Sequence, residues 1–205
     1  MQGVQNGIGQ FLKKYPGYIS HSGPLNAIRY QEVSIDSRRI KAGELFVALR
    51  GENFDGHNFV QQALEKSAAG VVVDAQWTRE NTGQFPGENA AVIVVEDTLN
   101  FLQELSAWHR SQFSIPVLGV TGSNGKTTVR NMIVEILSKK YRVASNEGNQ
   151  NNHIGVPLTL LKIETGHQMA VIELGSNHPG EIDFLTRLIQ PSMGLITNIG
   201  KGHIG

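Results

Sequence analysis

The sequence predicts an α/β protein in which a small α/β domain is followed by a second domain with a mostly parallel sheet and a phosphate-binding loop. Three observations support this prediction. They are short apolar runs rich in β-branched residues, helical patterns between these runs, and a glycine-rich segment between a predicted strand and a predicted helix. We place the domain boundary so that residues 1–112 form the first domain and residues 113–205 the second.

The first domain is predicted from three buried strands, at residues 45–49, 70–74 and 91–95. Each is a short run bounded by glycine, asparagine or charged residues, which is typical of strands that are buried on both faces. Between the first two, apolar residues at helical spacing over residues 58–69 predict a strand-helix-strand unit. The stretch 78–89 is rich in glycine, proline and polar residues and predicts a loop.

A helix over residues 97–110, with Asp97 as its N-cap, is expected to close the first domain. In the second domain, a strand that begins at Pro116 runs into the glycine-rich segment and then into a helix. Two more strands are expected on either side of a further helix, which Pro191 would end. These elements are the strands 169–174 and 193–198 and the helix 181–189.

Composition excludes several classes of protein. Lys plus Arg and Asp plus Glu both number 18, so no overall field attracts nucleic acid or an anionic membrane. The absence of Cys excludes disulfides, thiolate metal sites and a cysteine nucleophile, and it is consistent with a reducing cytoplasm. Purely apolar runs such as Ala90–Val95 are far too short to span a bilayer, and we find no signal peptide. We expect a soluble, cytoplasmic monomer that neither binds nucleic acid nor inserts into a membrane.

The glycine-rich segment GVTGSNGKTT, residues 119–128, lies where a phosphate-binding loop is expected, after a strand and at the start of a helix. Gly122 and Gly125 would let backbone amides approach phosphate oxygens. Lys126 would place a positive charge at the β- and γ-phosphates, and the hydroxyl of Thr127 could hold Mg²⁺. The alternative is a glycine-rich turn followed by an ordinary helix with an exposed lysine.

The loop departs from the general P-loop pattern, because Val120 stands where the first glycine belongs. In this form, TGSNGKTT, it resembles the ATP loop of the Mur ligases. The resemblance covers residues 33–205 and is most like the type of Mur ligase that adds D-alanyl-D-alanine. It continues in DSR (36–38), LFVALRGENFDGH (45–57), GNQNNHIGVPLTLL (148–161), VIELGSNHPGEI (171–182) and LITNIGKGHIG (195–205).

The resemblance implies an ATP-dependent amide ligase of peptidoglycan synthesis. Such an enzyme uses ATP and Mg²⁺ to join D-alanyl-D-alanine to UDP-N-acetylmuramoyl-tripeptide through an acyl phosphate. The first domain would bind the uridine nucleotide, and the second would be a truncated ATPase domain that ends before the family's carbamylated lysine and C-terminal domain. We therefore expect the chain alone to be inactive.

Three alternatives remain open. The chain could be a non-catalytic fragment that binds ATP and UDP, or it could belong to the amino-acid-adding (MurE-type) ligases. The block ELGSNHPGEI, residues 173–182, favours the dipeptide-adding type over the latter. An unrelated P-loop kinase or NTPase would explain only residues 119–128.

The resemblance also assigns roles to individual residues. Lys126, Glu173 and His203 are expected to act in catalysis, with Mg²⁺ held by Thr127, Glu173 and His203. The ATP loop consists of Gly122, Ser123, Asn124, Gly125, Lys126, Thr127 and Thr128. The UDP portion would contact Ser37, Arg38, Glu52 and Asn53, and the rest of the substrate Asn151, Asn152, Asn177 and His178.

Each of these assignments has a simpler alternative. Glu173 could be a solvated carboxylate at a strand end, and His203 a frayed terminal residue. The asparagines could form ordinary turns, and Asn177 could cap the helix that follows. Arg38 could be a surface ion-pair partner.

Overall fold

The computed structural model describes residues 7–26, 28–52, 54–81 and 90–200. The chain forms two compact units that divide between Leu105 and Ser106, inside a helix. The assignment of residues 1–112 and 113–205 to two functional domains stays a prediction. Among the described residues, no helix has the length and apolar character that a bilayer span requires.

The first unit is built on a five-stranded sheet, whose strands lie in the order β1 (Tyr18–Ser22), β7 (Ala91–Val95), β6 (Gly70–Asp74), β3 (Glu44–Val47) and β2 (Arg29–Ser34). Strand β1 pairs antiparallel with β7, and the other neighbouring strands of this sheet are parallel. A 3₁₀ turn over Gly56–Phe59 precedes α2 (Val60–Glu65). The elements are α1 (Gly7–Leu12), β1 (Tyr18–Ser22), β2 (Arg29–Ser34), β3 (Glu44–Val47), β4 (Arg50–Gly51), β5 (Phe54–Asp55), α2 (Val60–Glu65), β6 (Gly70–Asp74), α3 (Ala75–Glu80), β7 (Ala91–Val95) and the first part of α4 (Thr98–Arg110).

The three predicted strands of this unit are present as β3, β6 and β7. Their side chains are buried on both faces of the sheet, which explains the near-continuous apolar runs in the sequence. Val71 and Val73 of β6 pack in one cluster with Phe46, Ala63 and Trp77. The predicted helix cap is also confirmed, since the carboxylate of Asp97 accepts a hydrogen bond of 2.8 Å from the backbone N–H of Asn100.

Two local predictions for this unit were wrong. The helix expected over residues 58–69 is shorter, because Ser67 has a left-handed φ of 65°, which ends it. Residues 78–80 lie in α3 instead of a loop. Asp74 caps this helix by accepting a hydrogen bond of 2.8 Å from the backbone N–H of Trp77, whose side chain is buried. Most of the remaining predicted loop lies outside the described residues.

The second unit has a four-stranded sheet in the order β11 (Met193–Ile196), β8 (Val117–Thr121), β10 (Met169–Glu173) and β9 (Val143–Ser145), and its neighbouring strands are parallel. Leu160, Ile172, Leu185 and Ile189 belong to its buried core. The α/β fold with parallel sheets that the sequence predicted is therefore confirmed. The elements after α4 are β8 (Val117–Thr121), α5 (Lys126–Leu137), β9 (Val143–Ser145), α6 (Gly155–Leu161), β10 (Met169–Glu173), α7 (Glu181–Ile189) and β11 (Met193–Ile196).

Two elements of this unit were not predicted, β9 and α6. Helix α6 contains Pro157, which normally argues against a helix. The proline is tolerated because it lies in the first turn, where backbone N–H groups have no partner within the helix.

Candidate nucleotide and substrate sites

The two strands that carry the predicted phosphate site are neighbours in the sheet. Strand β8 ends at Thr121, directly before the glycine-rich loop, and β10 ends at Glu173. They are parallel, and Glu173 lies opposite Val120. The loop and the Glu173 carboxylate therefore lie at the same edge of the sheet, at the carboxyl ends of the strands, where open α/β sheets bind ligands.

Glycine is required at two positions of the loop. Gly122 has a φ of 135° and Gly125 a φ of 78°, both in the range that residues with a Cβ rarely adopt. A Cβ atom at Gly122 would lie 2.2 Å from Oγ1 of Thr197, whereas one at Gly125 would point into open space. Gly125 is also the N-cap of α5, so the helix begins directly at Lys126.

The segment after β11 braces the loop from its other side. The side-chain Oδ1 of Asn198 accepts a hydrogen bond of 2.9 Å from the backbone N–H of Asn124, and its carbonyl accepts one of 3.2 Å from the N–H of Ser123. The hydroxyl of Thr197 donates to the carbonyl of Asn124 at 2.6 Å. The loop is thus held by tertiary contacts in addition to its own turn geometry.

The ammonium group of Lys126 is folded back onto the loop. Its Nζ donates to the carbonyl of Gly122 at 2.7 Å and lies 3.4 Å from the carbonyl of Ser123. Lys126 lines a cavity of about 610 Å³ that is also bounded by the loop, by residues 176–180 and by residues 198–200. An anion in this cavity would meet a positive charge and the N-terminus of α5 together. Thr128 lies exposed in the first turn of that helix.

The carboxylate of Glu173 is almost fully buried, with 1% of the residue exposed. Its Oε1 accepts hydrogen bonds from the hydroxyl of Thr127 at 3.1 Å and from Nδ2 of Asn151 at 2.8 Å. Its Oε2 lies 3.3 Å from Nη1 of Arg130 and makes no hydrogen bond within the part of the chain that the structure describes. The alternative of a solvated strand-end carboxylate is therefore excluded for Glu173.

Two residues next to Glu173 were missed by the sequence analysis. Asn146, which follows β9 and is buried, hydrogen-bonds to the backbone of Glu173. Arg130 is also buried and lies one helical turn after Lys126 on α5. The only available signal was this spacing of four residues, which places both cations on one face of the helix.

The donors at this edge of the sheet are those that Mg²⁺ prefers. A hydroxyl oxygen of Thr127 and a carboxylate oxygen of Glu173 are 3.1 Å apart, and hard oxygen ligands of this kind, completed by water and phosphate oxygens, are typical of magnesium sites. The two residues therefore fit the predicted metal. His203, the third predicted ligand, lies outside the described residues.

The four predicted contacts to the sugar-peptide part of the substrate fall in three environments. Asn151 faces the Glu173 carboxylate. Asn152 precedes α6, and its Oδ1 accepts hydrogen bonds from the N–H groups of Ile154 and Gly155 at the start of that helix. Asn177 and His178 are exposed and line the cavity next to Lys126.

The backbone N–H groups of Asn177 and His178 both donate to Oε2 of Glu181, at 2.6 and 3.0 Å. These two hydrogen bonds lower the pKa of the Glu181 carboxyl group. Glu181 thereby holds this loop at the start of α7.

Of the predicted uridine-nucleotide residues that the structure describes, Arg38 and Glu52 lie at the surface of the first unit and Ser37 is buried. The Ser37 side chain is buried and its hydroxyl donates to Oε1 of Gln62 at 2.6 Å. Arg38 is exposed and donates two hydrogen bonds of 2.8 Å to the carboxylate of Asp36, which lowers the pKa of Asp36 to about 2. Glu52 is exposed beside the β4–β5 pair. Asn53 lies outside the described residues.

In the same unit, buried His57 links Asp55 at the end of β5 to Asp74 at the end of β6. The backbone N–H of Asp74 donates to Nε2 of His57 at 3.1 Å, so Nδ1 carries the hydrogen that is donated to Asp55 at 2.7 Å. Arg50 bridges the same two carboxylates, at 2.6 Å from Asp55 and 2.7 Å from Asp74. This network accounts for the Arg and the Asp-Gly-His of the block 45–57.

Comparison with known proteins agrees with this arrangement. Residues 29–110 match the family described as "Mur ligase family, catalytic domain", and residues 120–205 match "Mur ligase middle domain". The chain belongs to the Mur ligase family. The two matched ranges fall on either side of the end of α4, and the second contains the loop, Glu173 and the residues that brace them.

Curated relatives of this Mur ligase chain carry the name UDP-N-acetylmuramoyl-tripeptide--D-alanyl-D-alanine ligase. The Bacillus subtilis protein is 46% identical over 172 residues, which cover 84% of this chain and 36% of the relative. The Escherichia coli protein is 40% identical over 177 residues, which cover 86% of this chain and 37% of the relative. The chain thus spans a little over a third of the length of these relatives.

Solved structures of the same kind resemble this Mur ligase chain in fold. MurF from Acinetobacter baumannii has a TM-score of 0.82 and 36% identity, with 98% of this chain and 42% of that chain covered. MurF from Thermotoga maritima in complex with ADP has a TM-score of 0.72 and 29% identity, with 87% of this chain and 39% of that chain covered.

Proposed function

We propose that this chain supplies the ATP-binding and UDP-binding parts of an ATP-dependent ligase that joins D-alanyl-D-alanine to UDP-N-acetylmuramoyl-tripeptide. The observation that carries the proposal is the glycine loop at the start of α5, with Lys126 inside its cavity and Glu173 at the adjacent strand end. The names of the curated relatives support the choice of substrates. A cytoplasmic location follows from the proposal, because the reaction consumes ATP.

In this proposal, the triphosphate lies against the backbone of residues 122–125 and the N-terminus of α5. Lys126 exchanges its hydrogen bonds to the loop carbonyls for contacts with phosphate oxygens. The ADP in the related structure from Thermotoga maritima supports a nucleotide site in this fold. The cavity volume of about 610 Å³ lies within the range of small-molecule sites.

Thr127 and Glu173 would hold Mg²⁺. The ion would supply positive charge that allows a substrate carboxylate to approach the γ-phosphate. The protein must hold the substrate carboxylate and the γ-phosphate in line. Lys126 contributes a second positive charge beside these two anions. Asn177 and His178, which line the same cavity, would contact the peptide part of the substrate.

We propose that the UDP end of the substrate binds to the first unit near Ser37 and Arg38. The exposed guanidinium of Arg38 is suited to a diphosphate, because its planar fork can bind two oxygens at once. Buried Ser37, which is held by Gln62, would position this segment.

Calorimetric titration of the chain with ATP in the presence of Mg²⁺ tests the nucleotide site. We expect binding by the original chain, loss of most of it in Lys126→Ala, and no change in Lys139→Ala, which removes an exposed lysine of the same unit. Equal affinity in the Lys126→Ala variant would disprove the assignment of the loop.

A second titration tests the substrate class. UDP-N-acetylmuramoyl-tripeptide should bind more tightly than UDP-N-acetylmuramoyl-dipeptide, which is the substrate of the amino-acid-adding type. The opposite preference would favour that type. If neither compound binds while ATP binding is intact, the proposed role of the first unit in binding the UDP end of the substrate would be disproved.

A further inference from the structure

Arg130 is a buried cation whose surroundings direct it toward Glu173. It lies on α5, which packs against β10, and its side chain is 5% exposed. Its Nε and Nη2 donate to Oδ1 of Asn131 at 3.1 and 2.8 Å, and its Nη1 donates to the carbonyl of Gly148 at 3.2 Å. These contacts hold the guanidinium so that Nη1 lies 3.3 Å from Oε2 of Glu173.

The two oxygens of Glu173 therefore have different surroundings. Oε1 is hydrogen-bonded to Thr127 and Asn151 at the phosphate loop, whereas Oε2 is buried, makes no hydrogen bond to the described residues, and lies beside the charge of Arg130. A buried carboxylate without a hydrogen bond or a counter-charge is strongly unfavourable. Arg130 is thus the group that compensates Oε2 and keeps the carboxylate turned with Oε1 toward the loop.

We propose that Arg130 is a positioning residue, which holds the Glu173 carboxylate in the orientation that receives the metal ion of the nucleotide. This inference rests on the proposed function for the role of the metal. Arg130 acts through Glu173 and makes no contact with the nucleotide itself. Its removal should therefore weaken the contribution of Mg²⁺ to nucleotide binding and leave binding without Mg²⁺ unchanged.

The first experiment compares the affinity for ADP with Mg²⁺ and with EDTA in the 205-residue chain. Arg130→Met should reduce the gain in ADP affinity that Mg²⁺ provides by at least about tenfold. Removing one partner of a buried ion pair typically costs more free energy than a tenfold change in affinity represents. Arg130→Lys keeps the charge and should restore most of the gain. Arg142→Met, which removes an exposed arginine paired with Glu164, should change neither affinity.

An unchanged gain from Mg²⁺ in a folded Arg130→Met variant would overturn the proposal. Equal losses of affinity with and without Mg²⁺ would also overturn it, because they would indicate a merely structural role. If the original chain itself binds no ADP, the proposed function fails instead, and the outcome is distinguishable from failure of this inference.

The second experiment needs no nucleotide and applies even if Arg130→Met is poorly stable. Melting temperatures are measured for Arg130→Met, Glu173→Gln and the double variant, which together form a double-mutant cycle. Arg130→Met should lower the melting temperature clearly more when it is introduced into the original chain than when it is introduced into the Glu173→Gln variant. In that variant the neutral amide no longer requires a counter-charge. Equal decreases in both backgrounds would show that Arg130 does not act through the Glu173 carboxylate.

Discussion

The side chain of Asn146 is hydrogen-bonded to the backbone of Glu173. Nδ2 of Asn146 donates to the Glu173 carbonyl at 2.8 Å, and Oδ1 accepts from the Glu173 N–H at 2.9 Å. Nδ2 also donates to the carbonyl of Gln150 at 2.8 Å. The two hydrogen bonds between Asn146 and the Glu173 backbone join the end of β10 to the chain after β9. They fix the position from which the Glu173 side chain extends toward the loop.

Replacing Asn146 by alanine should destabilise the second unit. The change leaves the buried N–H and carbonyl of Glu173 without partners, so we expect a loss of about 2–4 kcal/mol in the free energy of unfolding. Urea denaturation followed by circular dichroism would measure it. Asn177→Ala, which removes an exposed side chain, should change the value by less than about 0.5 kcal/mol. Similar values for the two variants would contradict the role of Asn146.

Replacing Thr127 by valine should remove the effect of Mg²⁺ on nucleotide affinity. Valine keeps the shape of the side chain but has no hydroxyl to offer to the metal or to Oε1 of Glu173. The measurement is calorimetry with ADP in Mg²⁺ and in EDTA. Thr127→Ser retains the hydroxyl and serves as the control. A valine variant that responds to Mg²⁺ as the original chain does would exclude Thr127 as a ligand.

Alanine substitutions at three glycines should separate steric overlap from backbone strain. Gly122→Ala combines a left-handed φ with a Cβ placed 2.2 Å from Thr197, and it should cost more than about 2 kcal/mol of stability. Gly125→Ala has the strained φ alone and should cost about 1 kcal/mol. Gly194→Ala, in open space at an ordinary φ, should be nearly neutral. Thermal unfolding would establish the order, and a neutral Gly122→Ala would contradict the loop geometry.

Replacing Arg38 by alanine should weaken the binding of UDP. Its guanidinium is the exposed group proposed to bind the diphosphate, and an interaction of this kind contributes about 1.5–3 kcal/mol. Arg39→Ala is a matched control, because the neighbouring arginine is also exposed. Amide chemical shifts of the whole chain on addition of UDP would locate the site. Equal affinity for UDP in Arg38→Ala and Arg39→Ala would refute the assignment.

The stability of the first unit should fall in acid partly because of Asp74. Burial raises the pKa of Asp74, but the hydrogen bonds from Arg50 and from the Trp77 N–H, together with nearby positive charge, outweigh burial and lower it. A lowered pKa in the folded state means that the ionised group stabilises the fold above its unfolded pKa of 3.8, and that this stabilisation is lost as the pH falls further.

The advantage of the original chain over Asp74→Asn should therefore shrink as the pH is lowered from about 6 to below 3.8. Urea midpoints read from the fluorescence of buried Trp77, with Trp108 replaced by phenylalanine, would report on this unit. Glu65→Gln, at an exposed position, should show no such pH dependence. An advantage that stays constant across this range would contradict the lowered pKa.

Several features of this protein were determined by the sequence itself, because they depend on residues that are close together in the chain. The strands β3, β6 and β7 were predictable, since burial on both faces leaves a continuous apolar run. The phosphate loop was predictable for a similar reason, because its turn, helix start and lysine follow one another within residues 119–128.

The surroundings of Glu173 were decided only by the tertiary structure. Arg130 lies on α5 and Asn146 lies directly after β9, and they meet Glu173 because β10 is placed between β8 and β9 in the sheet. Strand order does not follow from the order of strands in the chain, so no local pattern predicts which side chains meet at a strand end. The sequence identified Glu173 as a strand-end carboxylate, and the packing of α5 and β9 against β10 determined that it is buried, compensated by Arg130 and oriented toward the loop.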